Sequence, residues 1–159
     1  MKKKRIRVYK LLNFAFKPGL IALLFLYGSG VKAQVSMLTV ISNQNGSPAS
    51  MKFSELRSVF MGEQQRWRSG TKITIALMKT NTPAGKNTSQ KIYGMSSDEL
   101  NKFWLALVFQ GKAQAPNFFN SATELENFVA QNPGAIGILD QFNANDDIKT
   151  VMVEGKKSL

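Results

Sequence analysis

Residues 54–78 read SELRSVFMGEQQRWRSGTKITIALM, from Ser54 to Met78. Leu56, Val59 and Phe60 recur at i, i+3 and i+4, which puts them on one apolar helical face. Ser54 is placed to cap that helix, with Glu55 near its positive end. Gly62 falls where a helix end favours a residue free to take positive φ. After a loop carrying Trp67 and a second glycine turn, Ile73, Ile75 and Leu77 alternate with Lys72, Thr74 and Ala76 at the period of a strand. A helix delivered by a tight loop into a strand is the basic unit of an α/β domain.

The rest of the chain repeats that unit. Val35–Ile41 is expected to be a first strand, and the turn formers of Ser42–Ser50 a loop. Beyond Met78, Thr82 followed by Pro83 predicts a helix start, with a hydroxyl at the cap and a proline where its missing N–H is harmless. That helix is expected to run over Ala84–Tyr93, largely exposed, and to end at Gly94. Ser96 and Glu99 form a capping box ahead of Leu100, Phe103, Trp104, Leu107 and Val108, all expected inward, with a stop at Gly111. Gln114–Asn120 reads as a loop exposing Phe118 and Phe119. A second capping box, Ser121 with Glu124, opens a helix with Leu125, Phe128 and Val129 inward, closed by Asn132-Pro133-Gly134. Ala135–Leu139 and Ile148–Val153 are expected as strands around a polar loop at Asp140–Asp147, with Gly137 allowing close backbone approach. The resulting order, β-α-β-α-α-α-β-β, implies an α/β fold with a mostly parallel sheet flanked by helices.

The chain opens MKKKRIRVYKLLNFAFK, followed by the apolar run Leu20–Tyr27 and then Gly28-Ser29-Gly30-Val31-Lys32-Ala33. A basic leader, a short apolar run and small residues at Val31 and Ala33 predict a secretory signal over residues 1–33, cut between Ala33 and Gln34. The apolar run is well short of the roughly 20 residues needed to span a bilayer. A retained anchor is the alternative, since the basic leader is long and Lys32 is unusual at its position. The expectation is therefore a periplasmic or secreted domain over residues 34–159. Of the 21 Lys and Arg, eight precede Gln34 and none of the 10 acids do. The full-chain charge of +11 thus falls to +3 for residues 34–159, which removes the electrostatic signature of a nucleic-acid binder.

The 159 residues include no cysteine and no histidine. That excludes disulfides, thiolate or ordinary zinc sites, a cysteine nucleophile and a Ser-His-Asp triad. The paired acids Asp146-Asp147 and Glu124/Glu126 read as solvated loop and helix surface. No P-loop is present. The expectation is a protein that is not an enzyme and that carries no cofactor or metal.

Four pieces then fall in register. They are Phe60-Met61-Gly62 with Trp67, Gly70 and an Ile-rich strand; Phe103-Trp104 with Phe109-Gln110-Gly111; Pro116 before a capped helix; and Asn132-Pro133-Gly134-Ala135-Ile136-Gly137. Together they resemble the periplasmic phosphate-binding proteins of ABC transporters, over roughly Val35–Leu139. The resemblance implies a single lobe of a type II periplasmic-binding-protein fold. Members of that family carry two lobes that close on the anion; the second has no counterpart in this stretch. The family's anion loop, Arg then Ser-Gly-Thr-Arg after the strand, is replaced by Lys79-Thr80-Asn81-Thr82-Pro83-Ala84-Gly85-Lys86. Lys79 stands where the first arginine would be and Thr82 where the serine would be. Ser69-Gly70-Thr71 precedes the strand and does not match, and Ile138 stands where the family has tyrosine.

Two functions follow from the resemblance. The first is a small-anion module, phosphate or similar, held by Lys79, Thr82 and Lys86 and feeding a membrane transporter or sensor. The second is a lobe that binds no ligand and serves as an interaction domain for a partner or as a homodimer, with Trp67, Phe118 and Phe119 on the interaction surface.

Overall fold

The computed structural model describes residues 37–140, 142 and 145–159. The expected signal segment and its cut lie outside these residues.

The elements are β1 (Thr39–Asn43), β2 (Ser50–Met51), α1 (Phe53–Phe60), β3 (Thr74–Met78), α2 (Pro83–Thr88), a π-helical turn (Ser89–Tyr93), α3 (Ser97–Phe109), β4 (Asn117–Phe119), α4 (Ala122–Gln131), β5 (Ala135–Leu139), β6 (Ile148–Thr150) and β7 (Met152–Val153). The main sheet runs β4-β3-β5-β1-β6, and β2 pairs with β7 separately. β3 is parallel to both β4 and β5, while β1 runs antiparallel to β5 and β6. Four of the five strands therefore share one direction and β1 alone is reversed. The expected α/β fold with a mostly parallel, helix-flanked sheet is present.

The sheet is covered on both faces, and strand alternation sorts its residues between two cores. Val40, Ile75, Leu77, Ile136 and Ile138 face α1, α3 and the π-helical turn, among Leu56, Val59, Phe60, Tyr93 and Trp104. Ile41, Ala76, Met78, Ala135 and Leu139 face α4 through Leu125 and Val129. Gly137 lets α4 come close, since a Cβ there would lie 2.7 Å from Leu125 Cδ2.

Several local expectations are corrected. Ser54 does not cap α1; the cap position is Lys52, with no side-chain hydrogen bond, because the helix begins one residue earlier at Phe53. Gly62 takes φ 75° just past the helix end, as its position requires. The helix after Thr82 is not largely exposed. Ala84, Gly85, Thr88, Ser89, Ile92 and Tyr93 are buried, because the wider π turn swings both Ile92 and Tyr93 onto the core face. Gln114–Asn120 is not simply a loop, since Asn117–Phe119 pairs beside β3 as the edge strand β4. On α3, Leu100 and Trp104 are buried, but Val108 points outward. At α4, Ser121 accepts from the Glu124 amide, but Glu124 Oε2 accepts from Asn120 N rather than from Ser121, so the box is not reciprocal.

Three loops are tied together at the start of the parallel strands. Trp67 is 4 % exposed, and its indole Nε1 donates to the Gly134 carbonyl at 2.9 Å. Gly134 N donates to the Asn45 carbonyl at 3.1 Å. Asn43, buried in β1, donates from Nδ2 to the Val129 and Ala130 carbonyls, covering the last turn of α4. Lys149 Nζ donates to the Gln44 and Ser47 carbonyls, and burial pulls its pKa down.

Gly134 has φ 82°, and a Cβ there would sit 2.5 Å from the Lys72 carbonyl oxygen. Gly70 has φ 87° with open space around it. Gly70→Ala should therefore cost only the left-handed penalty, about 1–2 kcal/mol. Gly134→Ala adds the clash and should cost about 3 kcal/mol or more. Urea unfolding of the two variants checks the difference, and equal losses would contradict the close approach at Gly134.

Candidate functional site

Ligand sites in open α/β sheets lie outside the C-terminal ends of the parallel strands. Here that end is formed by the residues following β3 and β4. Lys79 N donates to the Phe119 carbonyl at 2.9 Å, which holds the segment after β3 against the last residue of β4.

Thr82 caps α2. Its Oγ1 accepts from Gly85 N at 3.1 Å and donates to the Lys79 carbonyl at 2.7 Å. The single hydroxyl proton is thus directed inward. Gly85 fits because it has no side chain: a Cβ there would overlap the Lys79 carbonyl oxygen. This glycine was not among the expected site residues, and its signal was its spacing, three residues after a capping threonine. The structure therefore brings Lys79 and Thr82 together through a backbone clamp. Lys86 follows one residue after Gly85, and Lys79 and Lys86 are both exposed.

Two other helix starts adjoin this end. Ser97 Oγ donates to the Thr80 carbonyl at 2.9 Å and Asn101 Nδ2 donates to Thr80 Oγ1 at 3.3 Å, which ties the start of α3 to the same loop. α4 begins directly after β4. Both starts already hold a carboxylate. Glu99 Oε2 accepts from Ser96 N at 2.8 Å, and Glu124 Oε2 accepts from Asn120 N at 3.1 Å. The backbone hydrogen bond from Ser96 holds the Glu99 carboxyl below its ordinary pKa. The first turn of α2 has no acid. Of the three, α2 alone combines lysines with an absence of carboxylate.

Trp67, Phe118 and Phe119 do not form one surface. Trp67 belongs to the core, because its indole is needed at Gly134. Phe118 and Phe119 are adjacent in β4 and so point to opposite faces. Phe118 packs with the α3 side, whereas Phe119 lies 5.1 Å from the Phe128 ring on α4. The large exposed apolar residues include Leu105, Val108 and Phe109 at the end of α3. A cavity of about 440 Å³, lined by residues including Ser47, Glu55, Gln64, Trp67 and Arg68, lies at the opposite end of β3 from Lys79. Among the described residues, no cluster of acids could hold a metal ion and no helix is long and apolar enough to cross a membrane.

The arrangement of strands and helices matches solved phosphate-transport receptors. An ABC-type phosphate transport receptor from Vibrio cholerae superposes with a TM-score of 0.59 at 14% identity, covering 77% of this chain and 48% of that one. The fold is that of about half of such a receptor. A phosphate ABC transporter substrate-binding protein from Clostridium perfringens, solved with bound phosphate, gives 0.58 at 14% identity, over 77% of this chain and 46% of that one. PstS from Borrelia burgdorferi gives 0.54 at 14% identity, over 76% and 48%. No family model and no curated protein sequence matches the chain.

Thr82→Ala removes a cap and should cost about 1 kcal/mol in urea unfolding measured without phosphate. Glu99 has its folded pKa depressed, so its contribution is present above the unfolded pKa and is lost as pH falls through the folded value. The stability gap between wild type and Glu99→Ala should therefore narrow as pH falls through and below the ordinary carboxylate range. A gap independent of pH over that range would show that the carboxylate is not bonded as described.

Proposed function

We propose that this chain is a periplasmic lobe of the phosphate-receptor type that holds a small oxyanion at Lys79 and Lys86. Inorganic phosphate is the first ligand to test, and the lobe would present it to a membrane transporter or sensor. One observation carries the reading: at the C-terminal end of the parallel strands, the first turn of α2 holds no acid, with exposed Lys79 ahead of the helix and exposed Lys86 in its last turn, while the neighbouring starts of α3 and α4 are filled by their own carboxylates. The fold shared with phosphate receptors supports the same class of ligand. On this reading the protein does no chemistry.

Thr82 takes part as the residue that shapes the loop, since its proton is already committed to the Lys79 carbonyl. The anion is held by two solvated ammonium groups, so binding is weak and salt-sensitive.

Thermal unfolding of the full chain with phosphate, sulfate and chloride at matched ionic strength tests the reading. Phosphate at about 100 times its dissociation constant adds about 2.7 kcal/mol, a rise of several degrees for a domain of this size. That rise should exceed the chloride effect and vanish in Lys79→Gln/Lys86→Gln. An equal response to chloride, or an undiminished phosphate response in the double variant, would overturn it.

A further inference from the structure

We propose that Asn45-Gly46 is a site of self-modification, at which the Gly46 backbone nitrogen attacks the Asn45 side-chain amide and converts the residue to isoaspartate. It is the only Asn-Gly step in the sequence. Asn45 is exposed, and its side-chain amide makes no hydrogen bond among the described residues. Only its backbone is held: its N donates to Asn43 Oδ1 at 2.8 Å, and its carbonyl accepts from Gly134 N at 3.1 Å. The Gly46 N–H, the nucleophile once its proton is lost, has no acceptor among the described residues. The fold itself demands glycine here. Gly46 has φ 83°, and a Cβ would lie 3.0 Å from Thr71 Cγ2. The same lack of a Cβ leaves the nitrogen uncrowded for ring closure.

The surroundings favour loss of that amide proton. The Asn45 carbonyl belongs to the same peptide unit as the Gly46 N–H, so the hydrogen bond from Gly134 N draws charge away from the nitrogen. Lys149 Nζ donates to the Gln44 carbonyl at 3.0 Å and to the Ser47 carbonyl at 2.7 Å, which sets a cation against the peptides on either side. Asp147 meets this loop through its backbone carbonyl, which accepts from Gln44 N at 2.9 Å.

The step needs water and nothing else. A bond forms between Gly46 N and Asn45 Cγ, the Cγ–Nδ2 bond breaks, and Nδ2 leaves as ammonia with the proton that Gly46 gave up. Water then opens the succinimide ring. Opening at Cγ gives ordinary aspartate. Opening at the α-carbonyl gives isoaspartate, in which the main chain runs through Cβ and Cγ. The acceptor of Gly134 N then becomes a free carboxylate on a branch, and the loop after β1 gains one methylene. The contact that joins this loop to the start of β5 is lost, and the cavity lined by Gly46 and Ser47 is reshaped.

Incubation of the purified full chain in mildly alkaline buffer, followed by tryptic mass spectrometry, tests the proposal. Residues 33–52 lie between two cleavage points, Lys32 and Lys52, so one peptide reports Asn45, and its fragment ions separate Asn45 from Asn43. Asn45 should lose its amide several-fold faster than Asn120, which precedes Ser121 and serves as the internal control. The product should accept a methyl group from an isoaspartyl methyltransferase, and Asn45→Gln should abolish that acceptance. The aged chain should unfold at lower urea concentration than the fresh chain. Asn45→Asp, which adds the charge without the methylene, should unfold where the fresh chain does. An Asn45 amide that persists as long as that of Asn120 overturns the proposal, as does methyl acceptance unchanged in Asn45→Gln. An aged chain as stable as the fresh one overturns the effect on the Gly134 contact. None of these outcomes depends on phosphate.

Discussion

The close approach at Gly134 is the constraint on which the rest of the structure depends. Its carbonyl accepts from the Trp67 indole, its amide donates to Asn45, and its Cα faces the Lys72 carbonyl with no room for a side chain. Three loops distant in sequence meet there, those after β1, before β3 and before β5. The two neighbouring parallel strands start from this point, with Thr74 opposite Ala135. Parallel pairing gives no hairpin to set its register, so the register must be fixed by tertiary contact. A one-residue slip of β5 would exchange Ile136 and Ile138 with Ala135, Gly137 and Leu139 between the two cores. The tryptophan, the glycine and the asparagine-proline turn before it thus act as one device.

At the other end of the sheet the same logic acts through Gly85. The helix after β3 is pressed onto the strand's last carbonyls, and Thr82 bonds both to the helix and to Lys79. Rigidity there has a cost for recognition. A hydroxyl that donates inward cannot donate to an anion at the same time, so the hydroxyl contributes shape and the lysines contribute charge. Glu99 and Glu124 sharpen the contrast. Each satisfies a backbone donor at a helix start that would otherwise attract an anion.

Much of this was legible in the sequence where the signal is local. The Leu56-Val59-Phe60 face, the Ser96–Glu99 box, the Thr82-Pro83 start and the alternation of Ile73, Ile75 and Leu77 all rest on short-range rules, and the structure contains each of them. Failures occurred where a distant partner decides. Trp67 looks exposed in a polar loop, and only the Gly134 carbonyl 67 residues away makes it core. Phe118 and Phe119 look like a loop patch until β3 pairs beside them and sends them to opposite faces. The polar run Lys86–Lys91 hides a buried stripe because a π turn changes the angular period in its middle. For the candidate site, the sequence identified the lysines and the cap but not that the cap's proton is already spent.

Helix α3 shows a different limit. Leu100, Phe103, Trp104 and Leu107 form the stripe that packs on the sheet. Leu105, Val108 and Phe109 form a second stripe, turned roughly 130° away at about 100° per residue. Read as one pattern, the two stripes give a helix apolar over most of its circumference, which in a soluble domain belongs either to a deep core or to an interface. The sheet order leaves one helical layer on this face, and among the described residues the second stripe stays exposed. The excess of apolar residues over what the core can hold was visible in the sequence; its meaning depends on the layer count, which the sheet order sets. Phe109, the most exposed large apolar side chain on this helix, lies outside the stripe that packs on the sheet.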